Sequence, residues 1–196
     1  MKIIGLTGQT GAGKSTVCKA LEKNGYFHVD ADRVYRSLLT PRSELSEKLS
    51  KGFGEDILFP DGSLNRKALA KKAFKDPDST RLLSEITHPA VIQRISEIIK
   101  EKEAENCKGV LIDAIGLFES GASEICDFTV SVTAPREIRL KRITERDNIS
   151  LEDAMLRINA QKDEEFFIKN ADVVIRNYPP YDLGDEIKRI TEYEQR

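Results

Sequence analysis

Residues 8–15 read Gly8-Gln9-Thr10-Gly11-Ala12-Gly13-Lys14-Ser15 and satisfy G-x-x-x-x-G-K-[ST] at every defined position. No other segment limits the fold so strongly. Glycines here let backbone N–H groups converge on phosphate oxygens where a Cβ would intrude. The helix that such a loop opens adds unsatisfied N–H groups and the positive end of its dipole. Lys14 offers a full positive charge to the β- and γ-phosphates, and Ser15 offers a hydroxyl to magnesium. The motif requires a strand before it and a helix after it. Lys2-Ile3-Ile4-Gly5-Leu6-Thr7 is a short, β-branched apolar run, and Val17, Ala20 and Leu21 recur at helical spacing before a stop at Gly25. These residues predict an ATP site made of Gly8, Gly11, Ala12, Gly13, Lys14, Ser15 and Thr16, hence a P-loop phosphotransferase.

The rest of the chain alternates in the same manner. Tyr26–Asp30, Gly109–Asp113, Phe128–Val132 and Ala171–Ile175 read as further strands. Helices are predicted after Asp32, from Pro135, after the capping-box-like Ser150-Leu151-Glu152-Asp153, and from Tyr181 to Glu194. Such alternation predicts an α/β fold: a mostly parallel five-stranded sheet covered by helices on both faces. Between Arg33 and Lys100 strand-like runs are scarce. Arg66–Phe74, Ser79–Thr87 and Pro89–Glu103 read there as separate helices, with Pro89 forcing a break at His88. This stretch is a candidate helical insertion.

Charge and cysteine usage exclude several classes. The formal net charge of -2, from 31 basic and 33 acidic residues, gives no reason to expect nucleic-acid binding across the whole surface. No apolar run approaches the roughly 20 residues of a membrane helix. The N-terminus has no secretory h-region, so a cytoplasmic protein is expected. Cys18, Cys107 and Cys126 form no C-x-x-C pair and indicate neither a zinc site nor a disulfide framework; Cys18 reads as a small helix residue. Nothing in the sequence specifies an oligomeric state.

Further candidates complete the chemistry. Asp113 ends an apolar strand and fits a Walker B position that helps hold magnesium; an ordinary strand-end aspartate facing solvent is the alternative. Asp30 and Asp32 fall at the C-terminal end of the second strand, the edge where open α/β sheets bind ligands. In extended chain this spacing puts both side chains on one side. Asp30 also suits a helix cap, whereas Asp32 is the better general base for an acceptor hydroxyl. Arg139, Arg142 and Arg146 share neighbouring parts of a helical face. Of these, Arg142 is the candidate for stabilising the transferring phosphoryl group; a solvated face paired with Glu145 and Asp147 is the alternative for the cluster.

Together these residues resemble the bacterial dephospho-CoA kinase family over nearly the whole length. The resemblance rests on Gly5-Leu6-Thr7-Gly8, Asp30-Ala31-Asp32, Phe53-Gly54, Asp61-Gly62-Ser63-Leu64-Asn65-Arg66, His88-Pro89, Leu117-Phe118-Glu119, the Arg139–Arg146 helix, Gln161, and Ala171–Ile175 with Asn177. It implies a three-part kinase. The P-loop core would comprise residues 1–32, 108–138 and 170–196, the acceptor domain 33–107 and a helical lid 139–169. The implied reaction transfers the ATP γ-phosphate to the ribose 3′-hydroxyl of dephospho-CoA. By the same resemblance Asp32 is the base, Lys14 and Ser15 serve phosphate and magnesium, Arg142 is the lid arginine, and Asn177 lies near the adenine. Leu64, Arg66, His88 and Glu119 would lie at or near the acceptor. One departure is notable: Ile115-Gly116-Leu117-Phe118-Glu119 stands where the family usually reads P-L-L-F-E.

Overall fold

A computed structural model describes residues 1–195. It divides into two compact units, residues 1–29 with 101–195 and residues 30–100. The first unit is organised by a five-stranded sheet in the order β2-β3-β1-β4-β5. Its strands are β1 (Lys2–Thr7), β2 (Tyr26–Asp30), β3 (Gly109–Asp113), β4 (Phe128–Thr133) and β5 (Val173–Arg176). The pairs β1–β3, β1–β4 and β4–β5 are parallel. Parallel strands need crossovers and lie buried on both faces, and β4 accordingly has no exposed residue.

The core of this unit is built from Ile4, Leu6, Leu111, Val130, Val132 and Ile175 of the sheet. Val17 and Leu21 of α1 (Lys14–Lys23) and Ile187 and Ile190 of α9 (Leu183–Glu194) pack with them. Asp172, just before β5, accepts from both the backbone N–H (2.8 Å) and the hydroxyl (2.7 Å) of Thr129. That pairing fixes the start of β5 against β4. A separate small cluster of Ile143, Ala154 and Ile158 joins α6 (Arg136–Asp147) to α7 (Leu151–Asn159).

Residues 30–100 carry α2 (Ala31–Leu38), α3 (Glu44–Phe53), α4 (Arg66–Ala73) and most of α5 (Pro77–Ala104). Leu45, Leu49, Phe53, Ile57, Leu64, Leu69 and Ala73 form their core. The Asp61–Arg66 motif is an element of this architecture. Leu58 and Leu64 form an antiparallel bridge across a tight turn, within which Asp61 accepts from Ser63 N (2.9 Å) and Oγ (2.6 Å). Asn65 then caps α4 by accepting from Ala68 N at 3.0 Å.

Two sequence expectations are corrected here. His88-Pro89 does not separate two helices; α5 runs through it for 28 residues. An interior proline removes one backbone hydrogen bond and costs about 3 kcal/mol. Leu82, Leu83 and Ile86 before the proline and Ala90 after it nevertheless pack on the same core, and that shared packing holds one axis. Extended geometry also ends at Asp30, not beyond it. Asp30 is the N-cap of α2, accepting from Arg33 N at 3.0 Å, so Asp32 lies in a helical first turn and the same-side argument for the pair fails. The short helices α3 and α8 (Glu164–Asn170) carried no individual expectation.

Candidate functional site

The phosphate loop leaves β1 at Thr7 and enters α1 at Lys14. Two of its glycines have specific reasons. Gly8 has φ 136° and lies so close to β4 that a Cβ would stand 2.3 Å from the Val132 carbonyl oxygen. Gly13 caps α1 at φ 95°, where a Cβ would fall 1.9 Å from Asn177 Nδ2. Any other residue would be strained at both places and would push the loop off its support. Lys14 Nζ donates to the Gly8 carbonyl at 2.8 Å, which folds the ammonium back over the loop. Ser15 and Thr16 are exposed on the first turn of α1.

Around the loop lies a ring of side chains distant in sequence. Arg142 Nη1 donates to the carbonyls of Gly11 (3.2 Å) and Ala12 (3.1 Å), and its Nη2 donates to that of Asn177 (2.7 Å). Asn177 Nδ2 donates to Ala12 O at 3.1 Å. From the segment between α7 and α8, Gln161 Oε1 accepts from Thr10 N at 2.9 Å. Gln9 Nε2 donates back to Lys162 O at 2.8 Å. The carbonyls of Gly11 and Ala12 are thus satisfied by side chains from outside the loop.

The three arginines do not act as one face. Arg139 is buried, donates through Nε to Ala134 O at 3.0 Å, and has no partner for Nη1 among the described residues. Burial pulls its pKa down from the ordinary arginine value. Arg142 braces the loop. Arg146 is exposed and pairs bidentately with Asp147 at 2.7 and 2.9 Å, which holds that carboxyl below its usual range. Arg136 donates to Asn159 and Lys141 faces Glu145, as surface charges do.

Asp113 ends β3 directly beside Leu6 of β1 in register and is half-buried. Its Oδ2 receives Cys18 Sγ at 3.6 Å and lies 3.7 Å from His28 Nε2. Burial first, and the Asp113 charge second, push the Cys18 thiol far above its ordinary pKa. Among the residues expected at the acceptor, Asp32 and Arg66 are exposed, His88 is half-buried and Leu64 is buried in the core of its own unit. Burial raises the Tyr35 hydroxyl above its ordinary pKa and the Arg66 charge opposes that shift; Tyr35 lies one turn beyond Asp32 on α2. Glu119 is exposed in the segment after β3 of the other unit.

A sequence model of dephospho-CoA kinase matches residues 2–180 of this chain. The dephospho-CoA kinase of Corynebacterium diphtheriae is 39% identical over 189 residues, covering 96% of this chain and 94% of that protein. The enzyme of the same name from Carboxydothermus hydrogenoformans is 38% identical over 177 residues, 90% of this chain and 86% of its own. The chain belongs to the dephospho-CoA kinase family. Its fold agrees: the structure of dephospho-CoA kinase from Campylobacter jejuni superposes with a TM-score of 0.67 at 28% identity, over 98% of this chain and 95% of that one. A shikimate kinase from Bacteroides thetaiotaomicron, TM-score 0.57 at 16% identity over 100% and 99% of the two chains, shares the fold alone.

For a dephospho-CoA kinase family member, the segment Ile115–Glu119 departs from expectation in a contained way. Leu117 is fully buried against Gly5, where an added Cβ would come 2.8 Å from its Cδ2. Phe118 meets Phe166 edge to face at 6.0 Å. Thr7 Oγ1 donates to Ile115 O at 2.9 Å and so ties the segment to β1. The departure is confined to Ile115, which is exposed, and Gly116, around which a Cβ would meet nothing within 4 Å. Sequence reasoning did not give Gln9 or Gln161 a task at the loop. Gln161 stood among the family matches, but its partner Thr10 is 151 residues away, and no local pattern connects them.

Proposed function

We propose a division of labour among these residues for the family's reaction, ATP-dependent phosphorylation of dephospho-CoA in CoA synthesis. The single observation that carries it is the phosphate loop held ready by Arg142, Asn177 and Gln161. Its inward N–H groups and Lys14 receive the ATP phosphates and stabilise charge spread over the transferring group. Asp32 accepts the proton of the ribose 3′-hydroxyl as that oxygen attacks the γ-phosphorus, and ADP leaves. Arg66, His88 and Glu119 bind the acceptor, and Leu64 shapes the support of Arg66. Asn177 lies near the adenine. Residues 33–107 serve as the acceptor domain and residues 139–169 as the lid. The remaining segments form the core. Arg142 couples that lid to the loop.

Magnesium fits the donors present. Ser15 and Asp113 offer oxygen from an exposed helix turn and from a half-buried strand end, the donor type a hard cation takes. When bound, it would neutralise phosphate charge. No helix among the described residues is long and apolar enough to cross a membrane, and the proposed partner is a small molecule in the cytoplasm.

Purified protein is incubated with Mg-ATP and, separately, dephospho-CoA, shikimate and a panel of nucleotides, with ADP release and product mass followed. A 3′-phosphorylated product from dephospho-CoA alone is expected. Turnover on another acceptor in its place would overturn the assignment.

A further inference from the structure

Cys18, His28 and Asp113 come from α1, β2 and the end of β3 of the same unit. One donor atom from each lies within 4.8 Å of the other two. Asp113 Oδ2 is the hub, 3.6 Å from Cys18 Sγ and 3.7 Å from His28 Nε2. With metal–ligand bonds of about 2.0–2.3 Å, a tetrahedral zinc ion sets its sulfur and carboxylate oxygen about 3.5 Å apart and its nitrogen and oxygen about 3.3 Å apart. The two edges to Asp113 therefore exceed the ideal by less than about 0.5 Å, and the edge from sulfur to imidazole lies within 4.8 Å.

The surroundings also suit a cation. His28 Nδ1 faces Glu22 Oε1 at 3.6 Å, and Glu22 stands one turn beyond Cys18 on α1. A carboxylate behind a histidine fixes the ring and its tautomer and raises the basicity of the imidazole as a ligand. A thiolate and a carboxylate balance the charge of a dication. Cys18 is 1% exposed, whereas the side chains of His28 and Asp113 are 23% and 19% exposed, so the open side can admit water as a fourth ligand. Sulfur with imidazole selects against magnesium and calcium.

We propose that Cys18, His28 and Asp113 form a binding site for a borderline-soft divalent cation of the zinc class, with Glu22 orienting His28. Binding forms a metal–sulfur bond and releases the thiol proton to solvent, with no change of oxidation state. The set shares Asp113 with the magnesium donors proposed above, so the two cations are alternative occupants of that carboxylate, and the sulfur and imidazole beside it distinguish this site from an all-oxygen one.

The test is titration of the reduced, full-length chain with Co2+ in the absence of nucleotide. One Co2+ per chain is expected, with a thiolate-to-cobalt charge-transfer band in the near ultraviolet that Zn2+ displaces and excess Mg2+ does not. Cys18→Ser should abolish the band. Glu22→Gln should weaken affinity by roughly tenfold or more, and His28→Gln by at least as much. Replacing Cys107 and Cys126 by serine should leave the band intact. His28→Gln leaves the buried core untouched, so it decides the matter if Cys18→Ser fails to fold. A wild-type protein without the band, a band that survives Cys18→Ser, or unchanged affinity in His28→Gln would each overturn the site.

Discussion

Lys14 and Asp32 both stand in the first turn of a helix that follows a strand of the sheet, yet their neighbourhoods differ in kind. Lys14 is reached through six residues of loop, Gly8 to Gly13, and that loop is bonded by Arg142, Gln161 and Asn177 from 130 residues or more away. Asp32 follows its strand at once, and the helix cap beside it is a local bond from Asp30 to Arg33. The difference matches what each region is proposed to supply. A phosphate nest works only if several N–H groups already point to one place, and its left-handed glycines persist only where surrounding structure holds them. A general base needs one carboxylate at the right height on an exposed turn. Damage to the first region should therefore appear in structure or binding as well as in chemistry, and damage to the second in the chemical step alone.

The sharpest separation is expected from Asp32→Asn. It removes the proposed proton acceptor and keeps shape, so kcat should fall by ~10²–10⁴ while ATP affinity and melting temperature stay near wild type. Initial-rate kinetics with ADP detection, nucleotide titration and a thermal melt measure all three. Wild-type kcat would remove Asp32 from the base role. Lys14→Ala should follow, with kcat lower by roughly 10²–10³ and ATP affinity reduced as well, because its charge acts on both ground state and transition state. Unchanged ATP kinetics would refute that role.

Arg142 tests whether the loop is held from outside. Arg142→Ala leaves the carbonyls of Gly11, Ala12 and Asn177 without their charged donor, and a loss of about 1.5–3 kcal/mol in unfolding free energy is expected, with weaker ATP binding. Arg142→Lys restores the charge but not the fork that reaches both chain segments, and should recover only part of it. Arg146→Ala, which breaks a solvent-exposed pair, should change stability by less than about 1 kcal/mol. Denaturant melts of the three variants give the comparison; equal losses at 142 and 146 would mean the loop holds itself.

What could be read from the chain follows the same division. The loop, β1, β2 and the alternation of strands with helices were legible because each rests on residues adjacent in sequence. Asp30 as a cap was legible as one of two readings, and the structure selects it. The brace was not, since Gln161 and Thr10 are 151 residues apart and Arg142 and Gly11 131 apart, and no local pattern joins them. The grouping of Cys18 with His28 and Asp113 was hidden for that reason too: spacing rules detect ligands on one element, and these stand on three. At Pro89 local propensity was read correctly and lost to packing on either side.

Gly116 carries the smallest expected effect and bears on the acceptor side of the comparison. It has an ordinary backbone conformation, and a side chain there would enter open space. Gly116→Leu should therefore leave stability within about 0.5 kcal/mol of wild type, unlike any change at its fully buried neighbour Leu117. If the segment before Glu119 forms part of the acceptor wall, the added leucine contributes apolar surface only when dephospho-CoA is bound. KM for the acceptor should then fall while kcat and KM for ATP stay constant, the signature of binding shared equally by ground state and transition state. A fall in melting temperature would show that the open space is needed by the fold. An unchanged acceptor KM with unchanged stability would place the wall elsewhere, and would leave Arg66, His88 and Glu119 to carry acceptor recognition by polar contacts.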